Sequence, residues 1–65
     1  MADSKRYREV YTPYNHYWIQ KKYPECYSFI YVVCMETTKD SYTILYTGAF
    51  GECVVYLDRI KKQEM

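Results

Sequence analysis

Glycine and proline are scarce in this 65-residue chain, two of each, and histidine and tryptophan occur once each. With 49% hydrophobic residues beside so little Gly and Pro, the composition excludes a disordered or linker-type polypeptide. Cysteine is too sparse and too irregular for a framework. Cys26, Cys34 and Cys53 are an odd set with no Cys-x-x-Cys spacing, so the three thiols are expected free. A zinc site would need all three plus His16, at separations that match no common zinc pattern; no metal and no cofactor are expected.

Other absences narrow the class further. The start of the chain, Met1 to Glu9, is charged, and the longest apolar run is central and far too short to span a bilayer, so neither a signal segment nor a membrane anchor is expected. Reduced cytoplasm is the expected compartment. No dinucleotide fingerprint, phosphate loop or metalloprotease motif occurs. The one nucleophile–base combination would be His16 with a thiol, of which Cys53 is the candidate to approach it. Nothing in the spacing brings them together, and enzymatic activity is not expected. Charge of one sign is lacking too, the formal net charge being +1. Residues 1–22 hold five cations against two anions, and residues 23–65 four against six. A dedicated nucleic-acid domain usually carries a stronger basic excess.

What is abundant is tyrosine. Ten tyrosines, with Phe29, Phe50 and Trp18, bring the aromatic share to 20%. Tyrosine offers wide contact area with only two side-chain torsions to freeze, which suits a small core and a binding face alike. Without repeats, linkers or low-complexity segments, residues 1–65 read as one small domain. A domain of this length buries only about 60% of the surface its unfolded chain exposes.

Along the chain, Thr12-Pro13 has the chemistry of a helix N-cap followed by a first helical residue, and Pro24 is the next break. Tyr14 to Tyr23 is therefore expected to be helical, with Lys21 and Lys22 in its last turn. From Cys26 to Thr37 the composition turns to β-branched and aromatic residues, a long strand. Thr38 to Ser41 supply a turn, Tyr42 to Thr47 a second strand, Gly48 to Gly51 another turn, and Cys53 to Asp58 a third strand. Phe50, Cys53, Val54 and Leu57 also fit helical spacing; the Val54-Val55-Tyr56 run favours the strand.

The expected fold is thus α+β, a small three-stranded antiparallel meander covered on one face by an N-terminal helix. Lys5 to Tyr11 could add an edge strand. In this arrangement Val33 faces Tyr46, Met35 faces Ile44, and the helix covers Tyr27, Phe29, Tyr31, Val33, Met35, Tyr42, Ile44, Tyr46, Cys53, Val55 and Leu57. The opposite face collects Ile30, Val32, Leu45, Val54 and Tyr56 inside a polar ring, the layout of a protein-binding patch, with Tyr56 at its centre. A second candidate surface uses Arg6, Tyr7, Arg8 and Tyr11 with Lys21 and Lys22, where arginines would neutralise phosphates and tyrosines stack on bases.

The order helix, three strands and room for a short C-terminal helix resembles double-stranded RNA-binding domains in outline. Those domains place a lysine-rich start on a full second helix, whereas only Arg59 to Met65 remain here. The expectation is therefore a non-enzymatic protein-binding module, a regulator or inhibitor of a larger protein; size and type alone suggest a viral or mobile-element source. Its partner would be a host target or a second copy. The alternative is a small nucleic-acid-binding protein.

Overall fold

The computed structural model describes residues 5–22 and 29–64. Four strands precede one helix: β1 (Tyr7–Tyr11), β2 (His16–Lys21), β3 (Tyr31–Thr38), β4 (Ser41–Gly48) and α1 (Phe50–Glu64). The strands form one antiparallel sheet in chain order, and α1 crosses one of its faces over β3, touching β2 and β4 on either side. The α+β class is as expected. The number of strands and the place of the helix are not.

The helix expected from Tyr14 is instead strand β2, and the reason is local. Thr12 does what an N-cap does: its Oγ1 accepts the N–H groups of Tyr14 and Asn15 at 3.1 and 3.0 Å. The same bonds also close a hairpin turn, and here the Thr12 N–H donates to the Asn15 carbonyl at 2.9 Å. What decides between helix and strand is the sequence that follows. Tyr17 and Ile19 enter one face of the sheet while Trp18 and Gln20 enter the other, and all four are buried. A helix would have exposed one side of that run.

The expected third strand is α1. Phe50, Cys53, Leu57 and Ile60 lie on one stripe, with Cys53 and Leu57 fully buried against Tyr17, Ile19 and Val33. Glu52 accepts the Ala49 N–H at 3.2 Å, the reciprocal half of a capping box, with its charge at the positive end of the helix. Tertiary burial and this cap outweigh the β preference of Val54-Val55-Tyr56. The resemblance to double-stranded RNA-binding domains goes with it, since no helix precedes the sheet among the described residues.

Between β3 and β4 the Lys39-Asp40 turn joins Thr38 to Ser41, and Val33 lies opposite Tyr46 as expected. Ile44, however, pairs with Cys34 and not Met35, because Leu45 is the extra residue of a bulge. That one residue turns Leu45 toward the helix-side core and leaves Ile44 50% exposed on the other face, together with Tyr42. β1 carries a bulge as well, between its pairs Tyr7 to Ile19 and Val10 to Tyr17. Arg8 there has φ of 54°, a left-handed conformation uncommon for a residue with a side chain. Tyr7 and Val10 consequently pack against the helix-side core. No helix among the described residues is long and apolar enough to cross a membrane.

Candidate functional site

The face of the sheet away from α1 has no covering element among the described residues, yet Trp18, Val32 and Cys34 on it are each no more than 1% exposed. Side chains do the covering. The Arg6 guanidinium carbon lies 3.9 Å from the centre of the Trp18 ring, close enough for a cation–π contact. From β4, Tyr42 reaches across β3 and meets Trp18 edge-on at 5.7 Å. The polar atoms are satisfied in series: Trp18 Nε1–H donates to Gln20 Oε1 at 2.8 Å, and Gln20 Nε2–H donates to the Tyr42 hydroxyl at 3.1 Å. Tyr42 keeps its own O–H to donate. No buried side-chain polar atom among the described residues lacks a partner.

The far end of this face is built around His16. Its ring stacks on Tyr11 at 4.0 Å and tilts against Trp18 at 5.0 Å, while its two nitrogens face Glu9 at 3.1 Å and Glu36 at 3.4 Å. Glu9 also pairs with Arg6 at 3.5 Å. Beyond it, the β1–β2 turn and the β3–β4 turn flank a shallow groove of about 490 Å³ lined by Tyr11, Tyr14, His16 and Glu36 among others. The exposed apolar groups of the face are Tyr11, Tyr42 and Ile44. Its charges are Arg6 against Glu9 and Glu36, one cation and two anions.

The structure does not bring either residue set read from the sequence together on one surface. Val32 is buried under the Trp18 cluster and Ile30 is exposed just before β3, whereas Leu45, Val54 and Tyr56 pack on the helix-side core. The proposed patch centred on Tyr56 is therefore divided between the two sides of the sheet; its premise, a third strand, is helix α1. Of the basic and aromatic set, Arg6 is engaged with Trp18 and Glu9, and Tyr7 is held edge-on against Tyr31 and Phe50 at 5.9 and 5.7 Å, so its ring is not free to stack on bases. Arg8 is exposed at the bulge, Tyr11 lies at the opposite end of β1 from Arg6, and Lys21 ends β2 with Lys22 just after it. No single row of these groups forms.

The thiols offer little chemistry. Cys34 is clustered with Trp18 and Val32, and burial pushes its pKa up to about 11; Cys53 lies in the helix-side core with its pKa raised chiefly by burial. Both are free, on opposite sides of the sheet, and neither is hydrogen-bonded to His16. Cys26 lies outside the described residues. No group of three His, Cys, Asp or Glu residues that could hold a metal occurs among the described residues. The feature the sequence did not disclose is the Arg6–Trp18–Gln20–Tyr42 series. Its signal was the alternation in His16 to Lys21, hidden by the Thr12-Pro13 cap.

No protein-family model matches the chain, and no curated protein or solved structure matches it either.

Proposed function

We propose that this chain is a non-enzymatic protein-binding module, a regulator of a larger protein, and that it binds through the sheet face away from α1. The observation that carries this reading is the Arg6–Trp18–Tyr42 cluster: a tryptophan floor, a guanidinium in cation–π contact with it and a half-exposed tyrosine with a hydroxyl proton to give. Trp, Tyr and Arg are the residue types that dominate binding energy at protein interfaces, and their fixed positions lower the ordering cost of association. Exposed Tyr11 and Ile44 extend the apolar area, and Glu9 and Glu36 supply a polar rim. One arginine against two glutamates on the face favours a protein over a polyphosphate, because binding to nucleic acid draws mostly on unpaired cations.

A photo-crosslinking residue placed at position 44, in cells from which the protein comes, tests the reading. It should yield one dominant protein adduct that survives nuclease treatment and disappears in a Tyr42→Asp background. Adducts that vanish with nuclease, or none above those from a crosslinker on the outer side of α1, would sink it.

A further inference from the structure

The two edges of the sheet are unlike. β1 is five residues long, bulged at Arg8, contains Arg8 and Glu9 and follows Lys5 and Arg6, all devices that discourage pairing with another strand. β4 is eight residues long, Ser41 to Gly48, with neither a charge nor a proline, and among the described residues it pairs only with β3. Its bulge at Leu45 is the one such device on it, and it brings no charge to the edge. A bare edge of that kind is a template for one more strand.

What flanks this edge indicates which strand. A groove of about 530 Å³ runs between β4 and α1, lined by Tyr46, Glu52, Val55, Tyr56 and Arg59 among others. Tyr46 and Tyr56 are stacked at 5.0 Å and form its floor, and Val55 is 54% exposed. Along α1 the outward order is acid, apolar, base: Glu52, Val55, Arg59. Glu52 and Arg59 are separated by two turns, about 10 Å of helix rise. Glu52 uses only Oε1 for the Ala49 N–H and the Tyr46 hydroxyl, which leaves Oε2 open, and no carboxylate among the described residues pairs with Arg59. A stripe with a negative end, an apolar centre and a positive end is complementary to itself when reversed. Reversal is what a two-fold axis does.

We propose that the partner of this side is a second copy of the chain, docked antiparallel along β4 about a two-fold axis near Val55. Glu52 of each copy then meets Arg59 of the other, and the two Val55 side chains face each other. The geometry is consistent with a continuous sheet. With α1 over β3, the two helices would stand three strand spacings apart, about 14 Å, beyond the 8–10 Å of direct helix packing. Long side chains such as Arg59, Tyr56 and Glu52 are the ones that can close such a gap, and the groove is where they would lie. Small domains without disulfides or a metal commonly gain stability by association. The inference goes beyond the binding reading above and does not depend on it, since it uses the other side of β4.

Sedimentation equilibrium of the purified chain tests it. The wild type should run at twice its 8.0 kDa as concentration rises. Val55→Lys, at an exposed position that folding tolerates, should hold it at the monomer mass. Glu52→Arg and Arg59→Glu should each be monomeric, because like charges then face across the axis; mixing the two should restore the dimer mass, and so should the double variant E52R/R59E. Circular dichroism of each variant separates loss of pairing from loss of fold. A wild type that stays at the monomer mass into the millimolar range, or a dimer indifferent to Val55→Lys and to charge reversal, would overturn the proposal while leaving the open-face reading untouched.

Discussion

The guanidinium carbon of Arg6 lies over the ring of Trp18, 3.9 Å from its centre, and the tryptophan is 1% exposed on a face that no helix or strand among the described residues covers. Because the Arg6 side chain is itself 44% exposed, the contact contributes only about 0.5–1 kcal/mol. Its spectroscopic signature should be larger than its energy. Arg6→Ala should shift Trp18 emission to longer wavelength, and Arg6→Lys should not restore it, since an ammonium lacks the planar stacking surface. Unchanged emission in Arg6→Ala would mean that something else shields the ring.

The helical state of residues 50–64 separates two neighbours that a strand would treat alike. Leu57 is buried against Tyr17, Ile19 and Val33, so Leu57→Ala should cost about 2–5 kcal/mol. Val55 is 54% exposed, and Val55→Ala should stay within about 0.5 kcal/mol under conditions where the chain is monomeric. Urea unfolding of both variants checks the pair; comparable losses would argue against the helix.

Glu64, an acid in the last turn where the helix dipole disfavours it, is held by two hydroxyls: it accepts from Tyr17 at 2.6 Å and from Thr12 at 2.7 Å. These bonds tie the end of α1 to the β1–β2 turn and to β2. Tyr17→Phe removes one of them with no change in ring volume and should cost about 1.5 kcal/mol, as for hydrogen bonds to a charged group. Hydrogen exchange should show the loss concentrated in the last turns of α1. A variant as stable as the wild type would show that this tether is weak.

Alkali should unfold the protein. Cys34 is raised from 9.0 to about 11 and Cys53 is raised as well, both first by burial, and Tyr17 is raised by burial and by its bond to Glu64. In each case the native state holds its proton longer than the unfolded chain does. Stability from these groups is therefore complete below the ordinary thiol value and falls as pH rises through the window from 9.0 to about 11 set by Cys34. Urea midpoints on either side of that window should differ, and Cys34→Ala should flatten the slope. A midpoint independent of pH there would contradict the burial of these groups.

Much of the fold was legible as composition and pairing, much less as element type. The β3–β4 hairpin could be read because Thr38 to Ser41 is a turn by chemistry and the flanking runs are β-branched. Two ambiguities were physical. Thr12-Pro13 offers the same hydroxyl bonds to a helix start and to a hairpin turn, and only the burial of Tyr17, Trp18, Ile19 and Gln20 on both sides of β2 decides between them. Cys53 to Leu57 pairs strand-favouring residues with helical spacing, and the spacing prevails because Phe50, Cys53, Leu57 and Ile60 can all reach one core. The make-up of the face away from α1 was hidden for a third reason. A single bulged residue, Leu45, exchanges the faces of Ile44 and Leu45, and the cover over Trp18 comes from Arg6, twelve residues earlier in the chain.

The most direct test of the proposed binding face is the affinity of the protein captured from position 44 for the wild type, Tyr42→Asp and the Lys21→Ala/Lys22→Ala pair, at low and high salt. Tyr42→Asp should weaken binding by more than tenfold, in keeping with the roughly 2 kcal/mol or more typical of a central tyrosine, with little dependence on salt and with the lysine pair near wild type. Intact binding by Tyr42→Asp, together with wild-type affinity that falls with salt and a loss in the lysine pair that is largest at low salt, would contradict the account and point to the basic end of β2 instead.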